Sequence, residues 1–154
     1  MSIDAFEHVS TMGDLSRDTC LEIRLLRIWL DRNIIRSTAG RPGRGRDIQF
    51  SFRDRLTALI LANLRRAGLE LSIVERCSAV LYGSDWKGRP ILAIVAGDPQ
   101  LMSREAFAAI CAMPVPVSGI DIVGAATALR AKIEIEAAKA AIKSQSASEI
   151  AASN

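Results

Sequence analysis

In the first half of the chain apolar residues recur at helical spacing, and in the second they gather into short runs between turn residues. Thr11 followed by Asp14 is a helix-start signal, in which the hydroxyl caps the helix and the carboxylate faces the free N–H groups of its first turn. The spacing predicts a short helix over about 12–18, an interruption at Thr19-Cys20-Leu21, and a second helix over about 22–32. On that second helix Ile23, Leu26 and Leu30 fall on one face and Arg24 and Arg27 on another. Two short helices joined by a three-residue turn make a helix-turn-helix candidate.

The next segment, Gly40-Arg41-Pro42-Gly43-Arg44-Gly45-Arg46, cannot be helical, because Gly and Pro break it at nearly every step. After it, Ile48 and Phe50 alternate with polar residues as in a short strand, so the pair reads as a basic hairpin tip, or wing. Ser51 and Asp54 repeat the capping signal. Leu56, Leu59, Ile60, Asn63, Leu64 and Ala67 then form a helical stripe that stops at Gly68, and a further helix is predicted over about 72–81.

The second half reads differently. Pro90 to Ala96 is an apolar run of strand length, ended by Gly97-Asp98-Pro99, and Pro116 to Val123 is a second. Between them Ser103 caps a short helix carrying Phe107 and Ile110. This β-α-β order implies a two-stranded sheet, marginal on its own, which must pack on the helical half or pair across a dimer. A final helix over about 124–143, with Ile122, Ala126, Leu129, Ile133, Ala137 and Ala140 on one stripe, needs a partner surface. That surface is either a second copy of the chain or the helix's own domain. Residues 144–154 read as a flexible tail. The expected architecture is α+β and mainly helical: a DNA-binding unit over 10–82, a small αβ or dimerisation region over 83–143, and the tail.

Composition narrows the function. With 154 residues, 49% of them hydrophobic and 24% charged, the chain can build a packed core. It has no apolar run of membrane-spanning length, and its first eight residues carry acids where a secretory signal carries bases, so a cytoplasmic protein is expected. The three cysteines, Cys20, Cys77 and Cys111, are isolated singles, and His8 is the one histidine. A zinc site within one chain is therefore not expected, no other cofactor is indicated, and buried structural thiols are the simplest reading. Cys77 and Cys111 could meet in a fold or across a dimer, although the sequence shows neither.

The net charge of +3 matters less than its distribution: residues 24–66 hold eleven arginines against three acids. Every basic residue before Lys87 is arginine, whose planar fork suits phosphate and guanine edges. Such a concentration is a footprint for nucleic acid. No nucleophile with a base, no paired carboxylates and no complete phosphate-binding loop can be picked out, so an enzyme is not expected.

The stretch Met12-Gly13-Asp14-Leu15-Ser16-Arg17-Asp18-Thr19-Cys20-Leu21-Glu22-Ile23-Arg24-Leu25-Leu26-Arg27-Ile28-Trp29 resembles, without gaps, the first two helices of the MerR family. Phe50-Ser51-Phe52-Arg53-Asp54 and Leu64-Arg65-Arg66-Ala67-Gly68-Leu69-Glu70-Leu71 resemble two later segments of that family, at its spacing. The resemblance covers about residues 10–80. It implies a winged helix-turn-helix whose second helix enters the major groove of double-stranded DNA, with Arg24 and Arg27 on that helix. It also implies Arg41, Arg44 and Arg46 near phosphates in the wing, and Arg53 as a further phosphate contact at a helix start. Three positions depart from the family: Cys20 replaces the turn glycine, Glu22 stands where a Ser or Thr usually caps, and Ile28-Trp29 replaces a tyrosine pair, with Trp29 expected in the core.

The function expected is a sequence-specific transcriptional regulator, a repressor acting as a homodimer on a roughly palindromic site. Two alternatives remain, the first using the same residues and the second leaving the basic face incidental. An excisionase-like architectural protein would bend DNA through the same fold, and a protein-interaction adaptor would bind a partner through the αβ half. Nothing in the sequence identifies a small-molecule effector.

Overall fold

The two helix-start signals close as predicted. The computed structural model describes residues 9–39 and 47–152, with side chains as far as Gln145, and the fold is α+β and mainly helical. Helix α1 runs over Met12–Thr19, and its cap is reciprocal: the Asp14 N–H donates to Thr11 Oγ1 at 3.3 Å and the Thr11 N–H to Asp14 Oδ2 at 2.8 Å. Helix α2 covers Ile23–Asp31. Helix α3, Phe52–Arg66, starts on the second reciprocal cap, between Ser51 and Asp54. Helix α4, Leu71–Gly83, follows after a turn at Gly68, whose φ of 91° only glycine adopts without strain.

The β element departs from expectation. Strand β1 is Ile91–Val95, but Gly97-Asp98-Pro99 does not end the sheet. Ala96 and Gly97, both at positive φ (49° and 88°), form a two-residue turn into strand β2, Asp98–Met102. Positive φ at both central residues matches the right-handed twist of the strands they join. Helix α5, Arg104–Cys111, then leads to strand β3, Val117–Asp121. The sheet is thus three-stranded and antiparallel in the order β2-β1-β3, rather than a two-stranded β-α-β unit. Pro99, which argues against a strand interior, lies in β2 at the sheet's edge, where a ladder donor can be spared.

Along β1 burial follows the two-residue period. Leu92 and Ile94 enter the main core, while Ile91 and Ala93 join Met102 in a smaller cluster under Phe107 and Ile110 of α5. The main core takes residues from both halves of the chain: Leu15, Leu26, Trp29, Phe50, Leu56 and Leu61 pack with Trp86, Leu92, Ile122 and Leu129. The sheet is therefore stabilised against the helical half, as its small size requires.

Helix α6, Ile122–Ala152, continues past the expected fraying point and spans about 46 Å at 1.5 Å per residue. Ile122, Ala126, Leu129 and Ile133, the first four of the predicted stripe, are buried against the chain's own core. The own-domain alternative is realised for that part, whereas Ala137 and Ala140 are exposed.

Candidate nucleic-acid interface

The turn between α1 and α2 is fixed by polar contacts that side chains of α1 and α3 supply. Thr19 Oγ1 donates to Leu15 O at 2.7 Å and accepts from the Leu21 N–H at 3.3 Å, Ser16 Oγ donates to Leu21 O at 2.6 Å, and Arg66 of α3 donates to Thr19 O at 2.9 Å. Cys20 takes the left-handed conformation, φ 53° and ψ 30°. The backbone thus keeps the geometry a glycine would supply, at a cost of about 1 kcal/mol for the Cβ. Glu22 stands at the N-cap of α2 and makes no side-chain cap bond.

Which face of α2 is buried corrects the sequence-based stripe. Leu26 and Trp29 enter the core and Leu30 is half-buried, but Ile23 is 43% exposed. Trp29 packs inside as expected. The opposite face carries Arg24, Arg27 and Ile28, with Ile28 44% exposed, flanked by Ile23 and Leu25. Glu22 and Asp31 lie exposed at the two ends of the helix. Neither Arg24 nor Arg27 forms an ion pair or side-chain hydrogen bond with any of the described residues.

The other described arginines of residues 24–66 are engaged in the fold. Arg32 pairs with Glu75 at 2.6 Å, and Arg36 lies over the Tyr82 ring at 4.8 Å. Arg65 donates to Leu69 O at 2.9 Å, and Arg66 holds Thr19 as above. Arg53, expected at a phosphate, has its guanidinium turned inward. It donates to Leu81 O at 2.9 Å and Ser84 O at 2.6 Å, closing the end of α4, and stacks on Trp86 with 4.4 Å to the ring centroid. A phosphate contact would compete with all three, so Arg53 leaves the candidate interface.

Arg55 is enclosed completely. Its Nε donates to Asp18 Oδ2, its Nη1 to Ser10 Oγ at 3.2 Å, and Nη2 lies 3.8 Å from Glu136 of α6. Lys132, also of α6, donates to the other oxygen of Asp18 at 2.7 Å. Burial works against the charge of Asp18, yet the bonds from Arg55 and Lys132 outweigh it and hold the carboxyl below its ordinary value. This network joins α1, α3 and α6. In the sequence Asp18 shows only as a helix-end residue and Arg55 as one arginine among eleven.

Arg41, Arg44 and Arg46 lie outside the described residues. The stems on either side are pinned together: Ser37 Oγ donates to Gln49 O, the Thr38 N–H and hydroxyl both donate to Asp54 Oδ2 at 2.8 Å, and Phe50 bridges Ser10 through two backbone bonds. The alternation expected over residues 47–50 is therefore an isolated bridge to Ser10, with Phe50 fully buried.

The cysteines are free. Cys77 is buried, which pushes its thiol up to about 11, whereas Cys20 and Cys111 are exposed, against the expectation of buried thiols. Among the described residues no group of three or more His, Cys, Asp or Glu could hold a metal ion, and no helix is long and apolar enough to cross a membrane. No protein-family model matches the chain, and no curated protein matches it.

Proposed function

We propose that the chain is a sequence-reading DNA-binding protein of the winged helix-turn-helix type, resembling MerR regulators, and that it acts as a dimeric transcriptional repressor. The observation that carries this reading is the outward face of α2. It offers two arginines without partners among the described residues, while six others in the same stretch are engaged in holding the fold. An arginine held in place by core packing of its helix, with its guanidinium free, is the residue type that reads guanine in the major groove. The left-handed Cys20 supports the reading too, because it stands where the resembling family has its turn glycine. The described residues that flank segment 40–46 are anchored beside the start of α3, and the arginines of that segment are a residue type that contacts phosphates.

The dimer is supported by α6. Its residues from Ala137 to Gln145 are all exposed, and Ile135 and Ile142, seven positions apart, are 55% and 65% exposed. A seven-residue apolar spacing on a projecting helix suits a paired helix. To read two half-sites, such a pair would have to hold its two α2 helices about one DNA turn, roughly 34 Å, apart.

Selection of binding sites from a randomised duplex pool at near-physiological salt tests the reading. Recovery of an inverted repeat supports the dimeric regulator, and direct repeats support the excisionase-like architecture. A second reading, a protein-binding adaptor that uses α2 rather than the αβ half, is favoured by the exposed Ile23, Leu25 and Ile28 beside the two arginines. Absence of salt-dependent affinity for any DNA would establish the adaptor over the regulator.

A further inference from the structure

The outward face of α2 has more apolar surface than an arginine reader needs. Ile28 is 44% exposed one helical turn beyond Arg24, and the two residues share the middle of that face. Backbone phosphates have no use for this side chain. Asp31 at the end of the face and Glu22 at the N-cap of the helix also repel phosphate, which leaves the centre of the face suited to the edges of bases. Within the major groove one base presents an apolar group: thymine, through its 5-methyl. Four residues of helix advance about 6 Å along the axis, between one and two base-pair steps of 3.4 Å, so both side chains can reach neighbouring pairs.

We infer that α2 reads a thymine methyl beside a guanine, with Ile28 packed on the methyl and Arg24 on the guanine O6 and N7. The inference rests on the DNA-binding reading and goes beyond it by naming what the face recognises. A protein partner would satisfy Ile28 equally well, but it would have to bring acidic residues for the two guanidinium groups to a helix that already carries Asp31 on that face and Glu22 at its start.

Deoxyuridine differs from thymidine by that methyl alone. The selected duplex would be prepared with each thymine in turn replaced by deoxyuridine, and affinity measured by fluorescence anisotropy. At one or two positions the replacement should weaken binding about four-fold, the effect of removing one buried methyl. In Ile28→Ala the thymine and uracil duplexes should bind equally. Ile28→Val, which keeps a branched apolar side chain, should restore most of the difference, and Arg24→Ala should leave it in place. Uniform binding of all uracil duplexes by the unaltered protein would overturn the inference while leaving DNA binding intact. So would a uracil effect that persists undiminished in Ile28→Ala. Failure of the protein to retain any duplex would overturn the DNA-binding reading, and this inference with it.

Discussion

Replacing Asp18 by alanine tests whether the buried network holds α1 and α6 to the core. The Asp18 and Arg55 side chains are 1% and 2% exposed, so truncation leaves a guanidinium out of water without its closest partner. Ser10 Oγ would remain at 3.2 Å and Glu136 at 3.8 Å, the latter 36% exposed and screened by solvent. Breaking a buried pair from one side typically costs 3–5 kcal/mol, and the surviving contacts place Asp18→Ala near the lower end, at about 3 kcal/mol. That is a large share of the roughly 5–15 kcal/mol by which domains are stable. Lys132→Ala removes a 45% exposed partner of the same carboxylate and should cost under about 1 kcal/mol. The double replacement Asp18→Leu with Arg55→Met removes both charges and should recover most of the single loss. Urea unfolding followed by far-ultraviolet circular dichroism measures all three, with the slope checked for constancy. A change of less than about 0.5 kcal/mol in Asp18→Ala, or a double variant no more stable than the single, would refute the assignment of this pair as the link between helices.

The same carboxylate sets a pH dependence. Its folded pKa lies below the ordinary aspartate value of 3.8, so its stabilisation is present above that value and is lost as pH falls through the lowered one; urea midpoints in Asp18→Asn should decline less steeply over that acid range. Gly119 sits under the Phe107 ring, where a Cβ would come within 2.4 Å of it, so Gly119→Ala should cost about 1–3 kcal/mol in unfolding free energy, largely recovered by adding Phe107→Leu. Cys20→Gly should stabilise the protein by up to about 0.5 kcal/mol in the same measurement, since glycine takes the left-handed turn without a Cβ and loses part of that gain to chain entropy. Arg53→Ala should lower stability yet leave the salt slope of DNA binding unchanged, whereas Arg44→Ala should reduce that slope by about one; a reduced slope for Arg53→Ala would return it to the interface.

What the sequence revealed of this fold followed the range of the forces involved. Both reciprocal caps, at Thr11 with Asp14 and at Ser51 with Asp54, are decided within four residues and could be read directly. The positions of β1, α5 and β3 were also legible, because apolar runs bounded by Gly and Pro leave few options. Strand β2 was hidden because Asp98-Pro99 reads locally as a stop, and only its place at the sheet edge makes that proline tolerable. The buried face of α2 was ambiguous for a related reason. Ile23, Leu26 and Leu30 make as regular a stripe as Leu26, Trp29 and Leu30, and the choice falls to whatever packs opposite.

Charge was the least legible signal. The arginine-rich stretch was visible as a footprint, but a count cannot tell a guanidinium held for a ligand from one consumed by the fold. Arg53 and Arg55 differ by two positions on one helix, and each turns inward to partners far away in sequence: Leu81, Ser84 and Trp86 for the first, Asp18 and Glu136 for the second. Arg66 likewise closes the turn ahead of α2. Some of the arginines that resemble a binding surface in the sequence instead position the helix that carries Arg24 and Arg27. The proposed recognition face and its support are therefore built from the same residue type, and only the packing of α3 and α4 separates them. Substitution of the supporting arginines would weaken binding by loosening the frame, which is why stability has to be measured beside affinity whenever one of them is changed.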